Sequence, residues 1–371
     1  MHADDIAEYR RANVPLFNGN RMKIGVFGQN VSGGGTMSTA PTSFEPTFDH
    51  NVIIAEAAEA CGMEFLIPFG RWKSFGGDTD YNGNCMEVYT WAAALAARTS
   101  RIQIFATSHV PTVHPIVAAK QGATIDHISN GRWGLNVVCG WYVPEMEMFG
   151  AAQLEHDDRY RRAAEWVSVV KRLWQEQHFD HDGEFYRVID GYLNPKPVQQ
   201  PFPVVVNAGV SDAGREFSAE HVDFNFITMD SVESAAATAA DVRRRAHGYG
   251  RDIGVLGNGF MVVRDTEKEA REALDAIVEG GDWGAAHNIM RLLGIESESF
   301  QAQIDQFARR FVAGWGGYLF CGTPEQVTDQ FIALETAGVE GMALVWNDYA
   351  QEIPYFGERV MPLLREAGLR I

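Results

Sequence analysis

Cysteine is scarce in this chain: four in 371 residues (Cys61, Cys85, Cys139, Cys321), far apart and with no CxxC pair. Such a pattern suits neither a disulfide framework nor a structural zinc, so the thiols read as reduced and mostly buried. The eleven histidines include no HExxH motif. The nearest pair, His178 and His181 in HFDH, falls in a polar stretch that reads as a surface hairpin, and no metal site is expected. Positive charge is also short, with 31 basic against 49 acidic residues and a formal charge of -18. That balance repels phosphodiester backbones and anionic bilayers, which argues against a nucleic-acid or membrane partner. Long hydrophobic runs are missing, and MHADDIAEYRRANVPL carries acids where a secretory leader carries positive charge, so a cytoplasmic location is expected. There is no internal repeat, low-complexity tract or Pro/Ser-rich linker to mark a domain boundary.

What remains is ordinary globular material, 46% hydrophobic and 22% charged. Short β-branched runs alternate with longer helical patterns, the signature of parallel strands joined by crossover helices. Eight runs stand out: MKIGVF from Met22, FLIPF from Phe65, RIQIFAT from Arg101, RWGLNVV from Arg132, PVVVNA from Pro203, DFNFIT from Asp223, GFMVVR from Gly259 and GMALVW from Gly341. Eight is the barrel number, so the expected fold is α/β, one (β/α)8 barrel over 1–371. Helices are expected from Met86, from Pro115 to a stop at Asn130-Gly131, and after capping boxes at Thr266/Glu269 and Thr323/Gln326. Two segments, about 139–202 and about 281–320, exceed simple βα spacing and read as insertions, the first holding a long helix and a hairpin.

In such a barrel the chemistry gathers where strands end at their C-termini. Gly28 to Gly35, GQNVSGGG, has neither GxGxxG before a helix nor GxxxxGK[ST], and reads as a mobile loop over the mouth. At GVSDAGREF a helix begins at Ser211, whose exposed amides suit a phosphate or a plain N-cap. Arg159, Arg161 and Arg162 crowd a helix start beside Tyr160, against the dipole; an anionic ligand or neutralisation by Asp157 and Asp158 would each explain them. Asn136 stands inside a strand otherwise apolar, NVVCGW, with Thr107 closing the preceding strand. A buried amide there needs either a structural hydrogen bond or a ligand.

Taken together, MKIGVF, SFGG, AARTSRIQIFAT, AAKQGATIDHISNGRWGLNVVCGW, LEHDDRYRRAAEW, SDAGREFSAEHVDFNF and FGERVMPLL, in this order and spacing, resemble the bacterial-luciferase-like flavin monooxygenases, nearest to the pyrimidine and dimethyl sulfone monooxygenases among them. The resemblance implies a luciferase-like barrel that binds FMN, with the phosphate held by Arg159, Tyr160 and Ser211 and the rest contacted by Gly70, Arg71, Asn136 and Glu145. It further implies Thr107 and Asn136 as catalytic groups, with Ile67 and Val138 completing an oxygen pocket beside flavin N5 and a flavin-N5-peroxide as oxidant. Cys139, where the relatives carry Thr or Ser, and His109 and His114, in a loop that differs from theirs, are candidate substrate contacts.

No dinucleotide fingerprint is present, so the reduced FMN is expected from a separate NAD(P)H:flavin reductase, with O2 as co-substrate. A uracil-like heterocycle or an organosulfur compound is the expected substrate, and a homodimer or homotetramer the expected assembly. A deazaflavin-dependent oxidoreductase on the same fold, or a non-catalytic flavin-binding protein, are the alternatives.

Overall fold

The computed structural model describes residues 3–293 and 309–371. Its strands are β1 (Lys23–Phe27), β2 (Phe65–Ile67), β3 (Gln103–His109), β4 (Trp133–Val138), β5 (Phe179–Asp182), β6 (Arg187–Gly191), β7 (Val204–Asn207), β8 (Phe224–Ile227), β9 (Gly254–Val263), β10 (Tyr318–Gly322) and β11 (Gly341–Val345). The main sheet runs β10-β9-β11-β1-β2-β3-β4-β7-β8, and a further β9–β8 pairing closes eight of these strands into a parallel α/β barrel. Those eight are the eight read from the sequence.

Three differences have physical causes. The run FLIPF stops pairing at Ile67 because Pro68 has no N–H to offer a ladder. Strand β9 begins five residues before the expected Gly259, its start disguised by Gly254, Gly257 and Gly259. A Cβ on Gly257 would fall 1.9 Å from Met229, and one on Gly259 would fall 2.7 Å from Phe320, so larger neighbours fill the space. The ninth strand of the sheet, β10, straddles the end of the segment expected as an insertion over about 281–320, and pairs in parallel with Gly259–Val263 of β9. Residues 294–308 of that insertion lie outside the described residues. The first insertion holds the helix His156–Gln175 and the antiparallel β5–β6 hairpin, as the spacing implies.

Contacts group the chain into two compact units. One comprises residues up to Asn18, Glu87–Phe226 and Asp241–Gly254; the other comprises Gly19–Met86, Ile227–Ala240 and Val255–Ile371. In the first, Trp133 of β4 is fully buried against the helix Pro115–Ile128, where Gly122 has no room for a side chain. Trp174 meets Trp133 edge-on at 6.1 Å and donates its indole N–H to the Ala119 carbonyl at 3.0 Å. In the second, the buried Arg370–Glu64 pair, 2.9 Å apart, fastens the chain's last turn to β1, since Glu64 also accepts from the Ile24 amide at 2.8 Å. Both capping boxes are present. No helix among the described residues is long and apolar enough to cross a membrane.

Candidate active site

Strands β3 and β4 pair in register, Thr107 opposite Asn136 and His109 opposite Val138. Side chains alternate across a strand, so Thr107, His109, Asn136 and Val138 share one face. Thr107 and Asn136 are nearly sealed from solvent, at 5% and 4% exposure. The Asn136 amide nitrogen donates to the Thr107 hydroxyl at 3.1 Å, and its Oδ1 has no partner among the described residues. Turning the amide over would only exchange which half is left. The sequence posed a choice between a structural bond and a ligand contact; the geometry makes the bond with one half of the amide and leaves the other over.

Beyond β4 the chain turns at Gly140, where φ is +81° and a Cβ would lie 2.5 Å from Pro111. Cys139, half-buried, has its thiol pushed up to about 12 by burial, with Arg159 pulling the other way. It is a neutral thiol at physiological pH. The helix Val143–Met148 then carries Glu145, fully buried, with Oε2 4.0 Å from His109 Nε2. His109 is itself buried and faces this carboxylate. His114 differs: its Nδ1 accepts from the Ile116 amide at 3.3 Å and caps the helix Pro115–Ile128.

The three arginines of HDDRYRRAAEW separate once the helix forms. Arg161 is neutralised on an exposed face by Asp158 and Glu184, at 2.8 and 2.7 Å. Arg162 donates to the Tyr186 hydroxyl at 3.0 Å. Among the described residues Arg159 donates to the Gly140 carbonyl alone, at 3.2 Å, and its buried Nε has no partner. The neighbouring Tyr160 hydroxyl is pushed up to about 12 by burial first and by Cys139 next, with a hydrogen bond to Ser211 opposing. Ser211 caps the helix Asp212–His221, accepting from the Gly214 amide at 3.1 Å. Cys139, Arg159, Tyr160 and Ser211 thus lie together around a helix start whose free amides favour an anion.

One part of this corner has no simple sequence signal. Asn207, ending β7, donates to the Val137 carbonyl at 2.7 Å and accepts from the Gly209 amide at 2.8 Å and the Ser218 hydroxyl at 3.0 Å. Asn225 of β8 donates to the carbonyls of Asn207 and Gly209, each at 3.1 Å. These amides shape the turn that presents Ser211. Gly209 and Gly214 approach so closely that a Cβ on either would lie 2.7 Å from the other.

In the second unit, Ile67 ends β2 fully buried and Gly70 is buried just beyond it. Arg71 is 9% exposed, with its guanidinium carbon 4.7 Å from the centre of the Phe75 ring. Gly28–Gly35 is a loop, as expected, but a pinned one. Asn30 exchanges two 2.8 Å hydrogen bonds with the Phe69 backbone, and the Tyr81 hydroxyl donates to the Gly34 carbonyl at 2.8 Å.

His178 and His181 face Asp190 and Glu165, at 2.7 and 3.0 Å, on and beside the hairpin.

Comparison with known proteins bears on this arrangement. The family model described as luciferase-like monooxygenase matches residues 22–341. An FMNH(2)-dependent dimethylsulfone monooxygenase of Pseudomonas putida is 32% identical over 357 residues, covering 93% of this chain and 96% of that protein. A pyrimidine monooxygenase RutA of Pantoea ananatis is 35% identical over 360 residues, with 93% and 96% covered. Among solved structures, long-chain alkane monooxygenase (LadA) superposes with a TM-score of 0.84 at 23% identity, over 95% of this chain and 93% of that one, a likeness of fold.

Proposed function

The chain belongs to the luciferase-like monooxygenase family, and from that premise we propose that it is the oxygenase of a two-component system. It takes reduced FMN from a separate NAD(P)H:flavin reductase and uses O2 to oxygenate a small heterocycle or organosulfur compound. The relatives named for FMNH2-dependent and pyrimidine chemistry support this reading. The observation that carries it is the half-satisfied Asn136 amide beside the Thr107 hydroxyl, in the unit that also holds the Arg159–Tyr160–Ser211 corner.

The residues present fit FMN. A buried guanidinium N–H without a partner, a serine at a helix start and a tyrosine hydroxyl are the donors a phosphate asks for, and each arginine–phosphate bond is worth about 1.5–3 kcal/mol. When bound, reduced FMN supplies the electrons that activate O2. Arg159, Tyr160 and Ser211 would hold its phosphate, and Asn136, Glu145, Gly70 and Arg71 would bind the remainder. Thr107 and Asn136 would donate hydrogen bonds to oxygen as it gains negative charge, which suits reaction at N5 rather than at C4a in this reading. Val138 of the first unit and Ile67 of the second are the apolar residues assigned to O2, where a side chain without polar atoms would disfavour water. Cys139, His109 and His114 are assigned to the substrate side. A cytoplasmic homodimer or homotetramer completes the proposal.

The test is anaerobic titration with reduced FMN followed by admission of O2, with mass spectrometry of a substrate panel that includes uracil and dimethyl sulfone. Incorporation of one 18O atom from 18O2 into product is expected. Absence of FMN binding in either redox state, or substrate oxidation with no O2 uptake, would overturn the reading.

A further inference from the structure

Two adjacent residues after β1 carry side-chain amides with opposite fates. Asn30 spends both amide atoms on the Phe69 backbone, at 2.8 Å each. Gln29 is fully buried, and among the described residues neither its Oε1 nor its Nε2 has a hydrogen-bond partner. More than nine in ten buried polar groups are paired, so a primary amide orphaned at both ends calls for a cause. The backbone around it has no freedom to supply one. Gly28, at φ +76°, has the Phe69 ring where a Cβ would stand, 2.3 Å away, and Asn30 is doubly tied to the same residue.

Aromatic rings dominate this part of the second unit. Phe69 meets Phe27 at 4.4 Å and Trp315 at 5.7 Å, and Trp315 meets Phe75 at 5.5 Å. Flat π-faces suit a planar guest, and the guest's polar edge needs a partner of matching pattern.

We propose that Gln29 is a substrate-recognition residue whose amide is held vacant for the edge of a small planar lactam, a ring N–H beside a ring C=O. Oε1 accepts from the N–H and Nε2 donates to the carbonyl, so both orphans are satisfied by one bidentate contact. A sulfone offers acceptors alone; it satisfies Nε2 and leaves Oε1 buried and unpaired, a mismatch that sites built for hydrogen bonding punish severely. The assignment deepens the proposed oxygenase reading, on which it rests, by choosing the heterocycle over the organosulfur compound.

The test measures binding to the full-length protein loaded with FMN, by calorimetry, with three probes: uracil, 1,3-dimethyluracil, which keeps the carbonyls and lacks the N–H groups, and dimethyl sulfone. Uracil is expected to bind at least 10-fold tighter than either other probe. Gln29→Leu, which removes the amide and keeps the bulk, is expected to abolish that preference while unfolding at the same or a higher temperature, since an unpaired buried amide stabilises nothing. Gln29→Glu, which replaces the donor with an acceptor, is expected to weaken uracil likewise. Equal binding of uracil and its dimethyl analogue by the unaltered protein, or an intact uracil preference in folded Gln29→Leu, would overturn the assignment. FMN affinity, read separately by flavin fluorescence, keeps the two claims apart. The same calorimetry is run on the flavin-free chain: a uracil preference that depends on Gln29 in a chain that binds no FMN refutes the oxygenase reading and leaves the Gln29 contact standing.

Discussion

Asn136 reaches across one rung of the β3–β4 ladder to the hydroxyl of Thr107, 3.1 Å away, and does so with half of its amide. A pair of this kind acts as a unit, because each member orients the other. Asn136→Ala and Thr107→Val are therefore expected to lower turnover about 100-fold each, the usual cost of one lost donor at a developing negative charge. The double variant should lose little more than either single one. Oxygen uptake and product formation, measured under single turnover, check this; two full, additive losses would show that the residues act separately.

The corner at Ser211 predicts selectivity for phosphate over the rest of the cofactor. Arg159→Ala should weaken FMN about 10- to 100-fold, from the 1.5–3 kcal/mol of a charged hydrogen bond, and leave riboflavin affinity within a factor of two or so. Ser211→Ala should combine a smaller FMN defect with a loss of about 1 kcal/mol in stability, because it also removes an N-cap. Parallel titrations with FMN and riboflavin separate these; equal losses for both ligands would place the arginine elsewhere.

Two bases near β8 set a pH dependence of folding. Lys171 is lowered to about 8, by burial above all and by Arg251 and Arg10, while Asp223 opposes. His221 is lowered to about 4 by burial, then Lys171, then Arg251. In each case the unfolded chain binds the proton more readily than the folded one, so stability falls as pH falls through the window. The loss should appear between about 10.5 and 8 for Lys171 and between about 6.5 and 4 for His221. Urea midpoints taken across pH test this, with Lys171→Met expected to remove the upper step and to shrink the lower one, since burial and Arg251 still depress His221 while the Lys171 charge no longer does.

The Arg370–Glu64 pair is 3% and 2% exposed, and Arg370 also donates to the Met22 carbonyl at 2.8 Å. Glu64→Ala leaves a buried guanidinium uncompensated and should cost about 3–5 kcal/mol. Denaturant unfolding measures it. The FMN affinity of the folded fraction should be unchanged, since the pair lies at the start of β1 and the proposed ligand groups lie in or beyond the C-terminal halves of strands.

How much of this was legible beforehand depended on whether a signal was local. The eight barrel strands announced themselves through β-branched runs, and the helices through caps such as Pro115 and the Thr323/Gln326 box, because propensity and capping act over a few residues. Strand β10 did not, since five residues flanked by Gly317 and a capping threonine look like a linker until β9 supplies a partner. Ser211 and Arg159 stood out for chemistry at helix starts. Asn207 and Asn225 did not, because their meaning lies in a network joining β7, β8 and the following helix, 18 residues apart in sequence. Gln29 gave no sign at all. A glutamine after a glycine is ordinary, and only burial without partners sets it apart.

Strand β9 serves two masters: Leu256–Phe260 lies beside β11, while Gly259–Val263 lies beside β10. The chain that leaves Val263 is thus handed back to the strand it left before it returns to the barrel at Gly341. The exposed turns between those anchors can change in length without retuning the staves themselves, because doubling a flexible loop costs only about 0.6 kcal/mol of closure entropy. Trp315, which leans on Phe69 and Phe75, is carried on this detour. Length can therefore change along this detour while the strands beneath keep their count.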